Sequence, residues 1–409
     1  MSNSRAVVLE IFDAALAAVH GAACTASFLS SRPPAGELYV VAIGKAAGAM
    51  LAGACRALGE QVSTALLITK PGHEPPGIED LPGVTAMEAG HPIPDARSLQ
   101  AGRALLDFIA DSPGNASLLF LISGGTSSLV EVLPSGVTLD DLRRVNQWLL
   151  GSGWDIRRMN ALRKRLSCIK GGRLAAYAHD RRVLQLLISD VPGDVPSDIG
   201  SGLLVPDEPA SIDEAAMPEW LRTLLHSAPS LQDPKTKAFA NIDTHIVASM
   251  DHALAAAAEE AQKMGYAVQV HAERLSGDAA TAGRRLAQAL VEGAPGVHLW
   301  GGETTVELPS NPGRGGRNQH LALAAAEVLA NRDNVWLLAA GSDGSDGPGE
   351  DAGALVDGGT LARGELDGLN IKDCLRRADA GSFLEASGDL ITTGPTGTNV
   401  MDLVIGLKV

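Results

Sequence analysis

The sequence predicts an α/β chain in two domains, on three observations. Apolar runs of four to six residues, Leu38–Ile43, Ala65–Thr69, Leu118–Ile122 and Val183–Ile188, alternate with helical stretches, the pattern of a parallel sheet covered on both faces. The cadence restarts after Asp243, with a helix over Met250–Gly265 and strands at Ala267–Val270, Gly296–Trp300, Val335–Ala340 and Leu403–Gly406. Between them lies a proline-rich, acidic stretch, Val205–Pro234, and 409 residues exceed what one compact core organises. The boundary is placed to give domains 1–240 and 241–409.

The first segment, Val7–His20, carries Val8, Ile11, Phe12, Ala15, Leu16 and Val19 at helical spacing and stops at Gly21. A Ser/Arg/Pro loop, Ser30–Gly36, leads into the first strand, and Gly44-Lys45-Ala46-Ala47-Gly48 then sits at a strand-to-helix junction. A glycine and helix-start amides there let a phosphate or carboxylate approach, with Lys45 beside it; the alternative is a lysine that only reaches solvent. The turn is neither a Walker A loop nor G-x-G-x-x-G. Ser123-Gly124-Gly125-Thr126-Ser127-Ser128 follows the next strand, and its glycines and hydroxyls read as an anion-binding nest. G-x-S-x-G is absent, so a serine hydrolase falls behind. Ser189-Asp190-Val191-Pro192-Gly193-Asp194 brings acids to the carboxyl end of a buried strand, where Asp190 and Asp194 hold a magnesium ion or accept a hydroxyl proton, or else cap the turn. Arg143–Arg182 holds eleven Lys and Arg against Asp155 and Asp180. It reads first as a solvated helical face and second as a basic wall for anions. His73 and His91, in proline-flanked loops without zinc spacing, read as loop anchors.

In the second domain, Gly301-Gly302-Glu303-Thr304-Thr305 and Gly313-Arg314-Gly315-Gly316-Arg317-Asn318-Gln319 are the densest polar runs. Glycines let backbone approach a ligand while guanidinium forks grip phosphate or carboxylate oxygens, and Arg317 opens the Asn318–Leu329 helix. Gly341-Ser342-Asp343-Gly344-Ser345-Asp346-Gly347 adds acids after another strand without EF-hand spacing. Thr392–Asn399 either offers hydroxyls to the same site or closes a strand crossing.

The 33 Lys and Arg stand against 48 Asp and Glu, a net charge of −15, which argues against nucleic acid or an anionic membrane as partner. The charge is uneven, with 21 cations against 25 acids in 1–240 and 12 against 23 in 241–409. Four scattered cysteines form no C-x-x-C pair, no apolar signal region develops at the N-terminus, and no stretch approaches a membrane span. A cytoplasmic enzyme acting on small molecules is expected.

Taken together, Ile43-Gly44-Lys45-Ala46, Lys70-Pro71-Gly72-His73, Gly90-His91-Pro92-Ile93-Pro94-Asp95, Ser123–Ser127, Ser189–Asp194, Gly301–Val306, Gly315–Gln319 and Gly341–Gly347 resemble the glycerate 2-kinases whose C-terminal part is the MOFRL domain. The motifs occur in the family's order and cover nearly the whole chain. The resemblance implies a Rossmann-like three-layer N-terminal domain, a smaller α/β C-terminal domain and an active site in the cleft between them. It implies transfer of the γ-phosphoryl of ATP to the 2-hydroxyl of D-glycerate with Mg²⁺, by a monomer or homodimer. The family's cleft lysine, arginine and strand-end acid match Lys45, Arg317 and Asp190. Gly44, Ser123, Gly124, Gly125, Thr126, Ser127, Gly301, Gly302 and Thr304 are expected to bind nucleotide, and Asp190, Asp194, Glu303 and Asp343 to contact the metal. Members are also labelled hydroxypyruvate reductase, so an NAD(P)H-dependent reductase is the alternative, followed by a nucleotide-binding module without turnover.

Overall fold

The computed structural model describes residues 2–74, 77–78, 83–154, 156–178, 181–207, 214, 217–227 and 236–409. Of the Val205–Pro234 stretch, 208–213, 215–216 and 228–234 lie outside the described residues, as do Asp155 and Asp180 of the basic run. The chain divides into two compact units, Gly21–Val247 and Ala248–Val409, the latter joined by the opening segment up to His20.

The Gly21–Val247 unit is built on a six-stranded sheet. Its strands are β1 (Leu38–Ile43), β2 (Val62–Thr69), β3 (Val84–Glu88), β4 (Ser117–Ile122), β5 (Val183–Ile188) and β6 (Ile242–Ala248), in the order β3-β2-β1-β4-β5-β6. The pairings of β1 with β2 and β4, β2 with β3, and β4 with β5 are parallel. This is the Rossmann-like order, and it reverses between β1 and β4. The central strands are the apolar runs of the sequence and are buried almost throughout. The strands that no run announced, β3 and β6, are the two sheet edges: β3 is half-exposed, and β6 interleaves Asp243 and His245 with Ile242 and Ile246. An unannounced helix, Gly21–Ser31, packs on the helix Ala47–Leu58, where the backbone of Ala22 comes too close to Gly53 for a side chain. Helices Leu139–Gly151, Ile156–Arg165 and Glu219–His226 form an annex with its own small core of Val145, Leu149, Leu162, Leu166, Leu221 and Leu225.

The other unit carries β7 (Val268–Val270), β8 (Gly296–Gly302), β9 (Val335–Gly341), β10 (Gly353–Asp357), β11 (Leu390–Ile391) and β12 (Asp402–Lys408), in the order β11-β10-β9-β12-β8-β7. Only the pairing of β7 with β8 is parallel. The opening helix, Ser2–Ala18, belongs here, which differs from a division at 240/241 for a physical reason. Its apolar face, Val8, Ile11, Phe12 and Ala15, is buried, and it packs on the helix Met250–Lys263 and on β9 and β12. Arg5 fastens it, donating to Leu355 O at 2.9 Å and pairing with Asp389 at 2.9 Å and Asp357 at 3.2 Å. Among the described residues no single helix is long and apolar enough to cross a membrane.

Candidate active site

In an open parallel sheet, ligands bind beyond the carboxyl ends of the strands where the strand order reverses. Here that point lies between β1 and β4, whose following loops are Gly44–Ala46 and Ser123–Ser127, and the two loops are tied together. Lys45 N donates to Gly124 O at 2.9 Å and Ala46 N to Ser123 Oγ at 3.0 Å. Gly44 has φ 128°, and a Cβ there would stand 2.6 Å from Ser123 O, so the position admits only glycine. Thr126 Oγ1 shares its one proton between Ile43 O at 2.9 Å and Ser123 O at 2.7 Å, and both Ser123 and Thr126 are fully buried.

These hydroxyls therefore hold the loop's shape. What remains for a ligand is backbone: the amides of Gly124 and Gly125 have no hydrogen-bond partner among the described residues. Exposed Ser127 meets Ser201 hydroxyl to hydroxyl at 2.7 Å. Around Gly125 the space is shared by His91, whose Nε2 is 3.2 Å from where a Cβ would stand, and by Lys45, whose Cγ is 3.4 Å away. His73 Nδ1 lies 3.3 Å from Lys45 O. The two histidines expected to anchor loops thus border the lysine and the nest. Asp190 follows β5, half-buried, and Asp194 sits in a turn at φ 53° with its amide on Val191 O.

The basic run is a solvated face only in part: Arg143, Arg144, Arg158 and Arg182 are exposed, whereas Lys164, Lys170 and Arg173 are buried. Lys164 is buried with Asp198 and Asp207 as partners at 3.2 and 3.0 Å. Lys170 is buried against buried Glu131 at 2.5 Å and also donates to Ser127 O at 2.7 Å, so it underpins the nest. Arg173, also buried, donates to Lys164 O and Lys170 O. No spacing rule shows such pairings, because the acids come from distant segments.

In the Ala248–Val409 unit the candidate group is Arg317, the first residue of the helix Arg317–Leu329. Its Nε and Nη2 grip Asp402 at 2.6 and 3.0 Å, and its Nη1 donates to Glu303. Burial alone would lower its pKa, but Asp402, Glu303 and Asp346 outweigh that and hold the guanidinium charged at any working pH. Three of its five N–H donors are so used, leaving two without a partner among the described residues. Asp402 begins β12, opposite Gly302 of β8 and Gly341 of β9, so the sheet itself places it. Sequence reading missed it; its one signal is an acid just ahead of the last apolar run. Asp346, also missed as a site residue, accepts from Asn318 N at 2.9 Å and Gln319 N at 2.8 Å, capping the Arg317 helix. Burial, the Asp402 charge adding to it, pushes Asp346 up to about 6 against those amides and Arg317.

Gly301 and Gly302 lie inside β8, where added side chains would collide with Met250 and with Leu275, so close packing accounts for both glycines. Thr304 is buried beyond the strand end. Asp343 is buried and accepts from Ser345 N at 3.0 Å and Ser345 Oγ at 2.9 Å, shaping its turn. The Thr392–Asn399 loop packs on the same turn, where Thr396 donates to Ser342 O. Among the described residues no three His, Cys, Asp or Glu side chains converge as a ready metal cage. Mg²⁺ does not require one, since it takes one or two carboxylates and completes its shell with water and phosphate oxygens.

A family model described as a domain of unknown function, DUF4147, matches residues 7–238, and the MOFRL family model matches 296–402. A D-glycerate 2-kinase of Thermotoga maritima is 36% identical, the match covering 91% of each chain. A protein of Agrobacterium vitis provisionally named hydroxypyruvate reductase is 38% identical over 98% of this chain and 94% of its own. A crystal structure of a glycerate kinase from Thermotoga maritima superposes with a TM-score of 0.85 at 33% identity, covering 100% of both chains.

Proposed function

The chain belongs to the glycerate 2-kinase family with a C-terminal MOFRL domain, and from that premise we propose that it transfers the γ-phosphoryl of ATP to the 2-hydroxyl of D-glycerate, releasing ADP and 2-phosphoglycerate. The observation that carries this reading is the joined pair of loops at the sheet's reversal point, with Lys45 beside two glycine amides that have no partner among the described residues. Amides and a flexible ammonium suit phosphate oxygens, and phosphoryl transfer asks a protein mainly for positioning and cationic stabilisation. Gly44, Ser123 and Thr126 fix the loop, Gly124, Gly125 and Ser127 face the phosphates, and Lys45 neutralises them. Arg317 stabilises the moving phosphoryl or the glycerate carboxylate through its two remaining donors. Gly301, Gly302 and Thr304 support that arginine's strand end.

Asp190 takes the proton of the attacking hydroxyl or contacts the metal. Mg²⁺ supplies charge neutralisation on the phosphates when bound, and Asp190 with Asp194, or Glu303 with Asp343, are the carboxylates that would hold it. The enzyme works in the cytoplasm as a monomer or homodimer.

An NADH-dependent reductase would need an acid closing β2 to hold the ribose, and Thr69 and Lys70 stand there instead. The test is purified protein with ATP, Mg²⁺ and D-glycerate, product followed by phosphorus NMR, and a parallel assay of NADH with hydroxypyruvate. ADP release with the 2-phosphoglycerate resonance is expected. NADH loss without ADP release overturns the reading, and a 3-phosphoglycerate resonance corrects its regiochemistry.

A further inference from the structure

The Gly21–Val247 unit contains a cavity of about 650 Å³ between its helical annex and the end of the nest loop. Ser127 belongs to both the nest and the cavity lining, so the cavity continues the phosphate-facing loop. Its polar wall holds Asn146, Asn160 and Arg163, and Lys170 with Glu131 close another side. Arg163 stands out within the basic run. Its neighbours Lys164, Arg165 and Lys170 each have a carboxylate partner. Half-buried Arg163 has none among the described residues: Nε donates to Asn146 Oδ1 at 2.9 Å and Nη1 to Asn160 Oδ1 at 3.1 Å. Neutral amide oxygens orient a guanidinium without neutralising it, and burial accordingly pulls its pKa down. A cation drawn from water, aimed by two amides and left without a counter-ion is arranged for an anion that arrives from outside.

The remaining wall narrows the class of that anion. Pro92, Ile93, Pro94 and Leu142 line it with apolar surface, and Gln147 adds an amide to the lining. An amide offers a donor and an acceptor together, as the edge of a purine requires. The volume falls within the roughly 300–1,000 Å³ of cavities that enclose drug-sized ligands, and a three-carbon acid would leave most of it empty. We propose that this cavity is the nucleotide subsite: a purine nucleoside polyphosphate binds with its phosphates neutralising Arg163 and its ring against the Pro92–Pro94 wall. The proposal rests on the kinase reading but is tested apart from it.

The test is calorimetric titration of the full chain with ADP, alongside Arg163→Gln and Ile93→Asp variants. Arg163→Gln should weaken ADP binding by at least ~10-fold, the loss of one charge-assisted contact, with a shallower dependence on salt, while the KM for D-glycerate stays within ~2-fold of wild type. Ile93 is 65% exposed, so Ile93→Asp leaves the fold intact and should also weaken ADP by placing a negative charge on the wall; it carries the test should Arg163→Gln unfold. Unchanged ADP affinity in the folded variants overturns the proposal. So does absence of ADP binding to wild type, or a loss confined to the KM for D-glycerate, which would assign the cavity to the acceptor acid. Arg163-dependent ADP binding in a protein that does not phosphorylate D-glycerate sinks the kinase reading and leaves this site standing.

Discussion

The two units build glycine-rich strand ends for opposite purposes. In Gly21–Val247 the loops after β1 and β4 turn their side chains inward: Ser123 and Thr126 hold backbone, and amides are left over. In Ala248–Val409 the strand ends of β8, β9 and β12 hold side-chain charge, with Arg317 gripped by Asp402 and Glu303 and the Arg317 helix capped by Asp346. One region is a backbone cradle, the other a buffered cation. Damage to the first should appear as lost structure, and damage to the second as lost chemistry or altered pH response in a folded chain.

Gly44→Ala tests the cradle and carries the largest expected effect. The new Cβ meets Ser123 in a conformation that disfavours any side chain, so a destabilisation of about 3 kcal/mol is expected in urea unfolding. A variant as stable as wild type would show that the two loops are not packed as described. Asp402→Asn tests the buffered cation. It keeps the shape and removes the charge, and because Arg317 is a third exposed the stability loss should stay near ~2 kcal/mol, with kcat/KM down about 10-fold as the guanidinium loses its bidentate hold. A stability loss without any kinetic change would make Asp402 purely structural.

Asp346 sharpens the comparison through pH. Its folded pKa, about 6, lies above the ordinary value of 3.8, so the folded chain holds this proton more tightly than the unfolded one. The stability it contributes is full below about pH 4 and is lost as the pH rises through about 6, on the order of 3 kcal/mol in all. Urea midpoints measured from pH 4 to 7 should fall accordingly, and Asp346→Asn should flatten that part of the curve. A difference between wild type and Asp346→Asn that does not change with pH would show that Asp346 is charged throughout.

The sequence made legible what continuous burial writes into it. The runs at β1, β4 and β5 are buried on both faces and therefore uniformly apolar, and the motifs at their ends were legible as loops. Edge strands β3 and β6 carry half-exposed residues, so they lack that signature. Arg317 and Glu303 were found because they sit in glycine-rich runs, whereas Asp402 lies 85 positions from its arginine and only the sheet joins them. The cations at 164 and 170 read as solvent-facing because Asp207 and Glu131, which allow their burial, come from other segments. Long-range charge pairing leaves no local pattern, and that is where the reading of the site fell short.

The proposed function assigns Lys45 of the cradle and Arg317 of the buffered strand end each a part in phosphoryl transfer. Its most direct measurement is kcat/KM for D-glycerate-dependent ADP release by Lys45→Ala and by Arg317→Ala, each checked by thermal unfolding. A loss of at least ~100-fold in both, with the Lys45 variant melting as wild type, is the expected result, the size of losing one preorganised electrostatic donor. A wild-type rate in either variant contradicts the account.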